Sequence, residues 1–121
     1  MSIYLRQICL VAEQLEPVVE QIENLFGVPV CHRDPEVATF GLENALFAFG
    51  SQFLEVVAPI REGTAAGRFL ERRGGPGGYI VTCQGTSLEG QAGVRARGAE
   101  NNVRVGWESD NKSGSLIYFF F

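Results

Sequence analysis

Three groups of side chains in this 121-residue sequence are of types that do chemistry. The first is Glu55, a lone carboxylate inside the apolar run Gln52-Phe-Leu-Glu-Val-Val-Ala-Pro59. An ionised carboxylate held away from water is costly unless something pairs with it. Glu55 therefore either points into a cleft and holds a cation or a substrate, or lies on a face wetter than its neighbours suggest. The second is His32, the only histidine, in Val30-Cys-His-Arg-Asp-Pro35. An imidazole near Asp34 has the right chemistry for proton transfer at neutral pH, but no Ser-His-Asp or Cys-His arrangement accompanies it, so a surface histidine is expected. The third is Gly74-Gly-Pro-Gly-Gly78. It has the glycines of a phosphate loop, yet no Lys-Ser/Thr follows and a strand comes next, so it reads as a hinge.

The cysteines add little. Cys9, Cys31 and Cys83 are odd in number and widely spaced, which suits neither a disulfide framework nor a zinc knuckle. Cys9 and Cys83 fall in apolar strand patterns, where a buried inert thiol is the default.

The elements that must position these groups follow from hydrophobic spacing. Residues 3–11 read as a strand. In 13–27, Leu15, Val18, Val19, Ile22, Leu25 and Phe26 recur on one helical face, with Pro17 in the first turn and Gly27 just past the end. Strands are expected at 37–42, 45–50 and 52–58, with Glu43-Asn44 as a turn; such short connections make antiparallel neighbours. Thr64 to Arg73 reads as a short helix ended by Gly74-Gly75. After the hinge come a strand over 78–84, a helix from a Ser87 cap to about Arg97 ended by Gly98, and strands at 103–108 and 115–121 flanking a turn. In that helix Leu88, Ala92, Arg95 and Ala99 are the expected inner face.

Placing Leu15-Glu16 over Leu88-Glu89 aligns the two halves element by element. The expected fold class is thus α+β: two βαβββ modules forming a curved mixed sheet around a cleft, helices outside. One domain spans 1–121, with module 1 at 1–59, a linker helix and Gly-rich hinge at 60–77, and module 2 at 78–121. Module 2 holds one strand fewer than module 1. An aromatic strand end such as Phe119-Phe120-Phe121 is an aggregation hazard, so its last strand is expected to be missing or supplied by a partner. Phe47, Phe49, Phe53, Tyr79 and Phe119 alternate in strands expected to border the cleft, as a lining for a small ligand.

Bulk composition excludes other classes. The net charge of -4 argues against nucleic acid as a partner, and the 45% hydrophobic and 20% charged content is that of a globular protein. No apolar run spans a bilayer, and the first residues lack signal-peptide features, so a cytoplasmic protein without membrane contact is expected.

The order and spacing of Gln7-Ile-Cys-Leu-Val-Ala-Glu-Gln-Leu-Glu-Pro17, Asn24-Leu-Phe-Gly27 and Phe53-Leu-Glu-Val-Val-Ala-Pro59 resemble the vicinal oxygen chelate superfamily. That superfamily holds glyoxalase I, methylmalonyl-CoA epimerase, extradiol dioxygenases and bleomycin resistance proteins. The second half, with Gly78-Tyr-Ile-Val-Thr-Cys-Gln84, is similar to a bacterial glyoxalase-like branch. In metal-using members each module supplies two ligands to a divalent cation, from its first and last strands. The resemblance aligns these positions with Gln7 and Glu55, whose amide and carboxylate oxygens suit a hard cation. In module 2 the first-strand position falls on Tyr79 or Ile80, where a His is absent. The resemblance therefore implies a protein that holds a small molecule in the cleft without an intact metal centre, as a homodimer. Its alternative is a metal-dependent lyase, isomerase or dioxygenase using Gln7 and Glu55 as ligands, with Glu55 also moving a proton.

Overall fold

The computed structural model describes the backbone of residues 3–85, 88–101, 104–111 and 114–120, and the side chains of residues 3–85 and 93–101. The elements in chain order are β1 (Ile3–Val11), α1 (Leu15–Phe26), β2 (Val30–His32), a 3-10 helix (Pro35–Phe40), β3 (Leu42–Phe49), β4 (Gln52–Pro59), α2 (Ala65–Arg73), β5 (Gly77–Gly85), α3 (Leu88–Glu100), β6 (Arg104–Asn111) and β7 (Gly114–Phe120). The α+β class and the β-α-β-β-β order of the first half are as expected. The chain divides into two compact units, Cys9–Gly78 and Met1–Ile8 with Tyr79–Phe121.

The first unit is built on an antiparallel ladder. β3 pairs with β4 through Ala45↔Val56, Phe47↔Leu54 and Leu46↔Glu55, and β2 pairs with β3 through Val30↔Phe47. Paired residues share a sheet face. One face carries Ala45, Phe47, Val56 and Ala58, which close a core with Ala12, Leu15, Val19 and Ile22. The last three lie on α1 at a spacing that puts them on one stripe. Leu25, expected on that stripe, is 75% exposed because it falls a quarter-turn outside it. Gly27 ends the helix in the left-handed conformation at φ 67°, and its N–H bonds the Glu23 carbonyl at 2.9 Å.

The second strand of this half differs from expectation. Residues 35–40 form the 3-10 helix, β2 lies earlier at Val30–His32, and Asn44 sits inside a continuous β3. The cause is local. Asp34 caps the turn by accepting the Glu36 N–H at 2.9 Å, and Pro35 presets the helical φ that follows. Val37 and Phe40 only mimic a strand pattern. At the far end Gly41 takes φ 73°, and Thr64 caps α2 by accepting the Gly67 N–H at 3.0 Å.

In the other unit, β7 lies between β5 and β6, antiparallel to both, with Cys83↔Ile117 and Glu108↔Ile117 in register. α3 continues through Gly98 to Glu100. Arg95 and Ala99, expected inward, are exposed, while Val94 is half-buried and Gly98 buried, so the inner stripe is shifted by one residue. The Ser87 cap and the residues 112–113 of the last turn lie outside the described residues, as do the side chains of Leu88, Ala92 and Phe119. Among the described residues no helix is long and apolar enough to cross a membrane.

Candidate functional site

β4 alternates strictly. Leu54, Val56 and Ala58 face α1, which leaves Phe53, Glu55 and Val57 on the opposite face. Glu55 is half-buried there. Its Oε2 accepts the Nδ2–H of Asn44 at 2.7 Å. Asn44 is itself 4% exposed, and its Oδ1 accepts the backbone N–H of Asp34 at 2.8 Å. Asn44 was hidden from sequence reasoning by its assignment to a turn. The available cue was an amide two residues before Leu46, on the same strand face by alternation.

Cys9 completes the group. It is 2% exposed on β1. Burial pushes its thiol well above the ordinary value, and the charge of Glu55 and a hydrogen bond to that carboxylate act in the same direction. Its thiol is therefore held in the neutral form, as expected of an inert buried cysteine. Cys83 is raised as well, by burial alone.

The expected ligand lining divides between the two sheet faces. Phe53 is half-buried on the Glu55 side of β4. Phe47 and Phe49 are not on that side. Phe47 is fully buried in the α1-facing core, and Phe49 packs against the same core and meets Phe26 edge-to-face. The register Phe47↔Leu54 decides this, and it cannot be read from either strand alone. Phe47 is core and Phe49 packs against it, so neither lines the Glu55 face. Tyr79 is half-buried on β5. Gln7 is half-buried on β1, two residues before Cys9 and so on the same side of that strand.

Among the described residues the implied metal has no set of three His, Cys, Asp or Glu donors beside Gln7 and Glu55. The Oε2 of Glu55 is already engaged by an amide N–H. His32 is exposed on β2, as its sequence context suggested.

No protein-family model and no curated protein sequence matches the chain. Solved structures do. Methylmalonyl-CoA epimerase from Mycobacterium tuberculosis is 21% identical at a TM-score of 0.67, covering 98% of this chain and 78% of that one. A variant of the Streptomyces coelicolor methylmalonyl-CoA epimerase, in complex with 2-nitronate-propionyl-CoA, is 22% identical at 0.69, covering 98% and 86%. A hypothetical protein from Bacillus halodurans C-125 is 16% identical at 0.73, covering 100% and 86%. These likenesses show the fold.

Proposed function

We propose that this chain, which has the glyoxalase-like fold of the vicinal oxygen chelate superfamily, is a metal-free domain that holds a small molecule against the Glu55 face of its first module. The observation that carries the reading is the carboxylate itself. Glu55 interrupts an apolar strand on the side away from α1, and an amide locks it in place. An ionised carboxylate only accepts hydrogen bonds. The ligand group it meets is therefore an O–H, an N–H or an acidic C–H beside a carbonyl. Methylmalonyl-CoA, after which the similar epimerases are named, carries a C–H of the last class. Phe53, on the same face of β4, is the further contact of this reading.

Calorimetric titration with propionyl-CoA, on the protein and on its Glu55→Gln variant, tests it. Saturable binding that weakens about tenfold in the variant, the scale of one hydrogen bond to a charged group, supports the reading. Absence of binding, or equal affinity in both proteins, overturns it.

A second reading, an isomerase acting on an acyl thioester with Glu55 as proton carrier, is favoured by the similar structures being epimerases. Turnover of methylmalonyl-CoA, with a stoichiometric transition metal found by elemental analysis, replaces the first reading with this one. The homodimer and cytoplasmic location expected from the sequence belong to both readings, and sedimentation equilibrium checks the former.

A further inference from the structure

We propose that Asn44 is the positioning residue for Glu55, coupling its carboxylate to the Asp34 turn that starts the 3-10 helix. The inference rests on Glu55 being the ligand-facing group of the proposed function. Asn44 is buried in β3 with both ends of its carboxamide engaged: Asp34 N–H to Oδ1 at 2.8 Å, and Nδ2–H to Glu55 Oε2 at 2.7 Å. A carboxamide is the short side chain that offers an acceptor and a donor on one rigid plane. Asp supplies no donor when ionised, and Leu of similar size supplies neither. The orientation of the amide is determined by its partners, because a backbone N–H needs an acceptor and a carboxylate needs a donor.

The sheet register makes this contact. Asn44 stands opposite Val57 and Glu55 opposite Leu46, so the two polar side chains are diagonal neighbours on one face. Asp34 in turn holds the Glu36 N–H at 2.9 Å. A continuous relay of hydrogen bonds thus runs from the 3-10 helix through Asp34 and Asn44 to Glu55, all within one compact unit. Movement of the carboxylate towards a ligand leaves a buried amide N–H without its acceptor, which is expensive. The relay links the two ends in both directions: what shifts Glu55 disturbs the Asp34 amide, and what loosens the Asp34 turn releases Glu55.

Two measurements test the coupling. The first is amide hydrogen exchange at Asp34 in the Glu55→Ala variant. Exchange faster by about tenfold or more, the loss of one charge-assisted bond, is expected. Unchanged exchange overturns the proposal, because an Asn44 that only staples the turn to β3 does not sense Glu55. The second is the affinity for propionyl-CoA in Asn44→Ser, Glu55→Ala and the double variant. Asn44→Ser is expected to weaken binding, and the double variant to bind no more weakly than Glu55→Ala. Additive losses overturn the proposal. Should Glu55→Ala leave propionyl-CoA affinity unchanged, the proposed function fails, and the exchange measurement alone decides the coupling. That measurement needs no substitution at Asn44, so it stands even where the serine variant does not fold.

Discussion

The ring of Phe26, at the end of α1, stands edge-on to the ring of Phe49 on β3, with centroids 5.3 Å apart and planes at 86°. This pair fastens the C-terminal turn of the helix to the same sheet face that buries Phe47. It explains why an aromatic stripe that reads as a pocket lining is a packing surface. Edge-to-face rings contribute about 0.5–1.5 kcal/mol beyond their burial.

Phe47 and Phe49 therefore belong to stability. Phe47→Ala is expected to cost about 3–5 kcal/mol by urea denaturation, the range for truncating a buried ring. Phe49→Ala, partly exposed, should cost less. Neither side chain faces Glu55, so any variant that stays folded should bind propionyl-CoA as the parent does. A selective loss of affinity at unchanged stability would return these rings to the binding face.

Gly41 is constrained by conformation and by space. It holds φ 73°, and an added Cβ would come within 2.5 Å of Thr64 Cγ2. Gly41→Ala is expected to destabilise by about 1–3 kcal/mol for the left-handed backbone, with the clash added. Thr64→Ala should cost about 1 kcal/mol through the lost cap of α2. The thermal midpoints of the two variants check the ranking.

Buried Cys9 and exposed Cys31 should differ in reactivity. Iodoacetamide at mildly alkaline pH is expected to modify Cys31 in the native protein and to reach Cys9 only on unfolding, as read by mass spectrometry. The raised Cys9 value also gives a sign for stability. Above the ordinary thiol value of 9.0, the unfolded chain loses a proton that the folded chain retains. Stability contributed by the neutral thiol is full below that pH and falls as pH rises towards the folded value. Cys9→Ala should flatten this decline, and an unchanged slope would assign it elsewhere.

His32 is expected to be silent. It is exposed on β2, and surface substitutions of this kind stay within about 0.5 kcal/mol. His32→Ala should leave both stability and propionyl-CoA affinity as they are in the parent. A loss of affinity would make the β2 edge part of the binding site.

The sequence by itself determined the elements whose signals are local. The α1 stripe with Pro17 and Gly27, the short helix ended by Gly74, and the β-α-β-β-β order of the first half all act within a few residues, so spacing and end residues suffice to reveal them. It also exposed Glu55 as an anomaly, because a charge in an apolar strand is visible without coordinates. The 3-10 helix was hidden because Asp34 and Pro35 override the strand-like spacing of Val37 and Phe40. Only tertiary structure decided which aromatics are core and what Glu55 touches. Pairing β3 with β4 in one register turns Phe47 towards α1 and sets Asn44 beside the carboxylate. A shift of one residue would exchange the two faces, and a strand read alone carries no record of its partner's register.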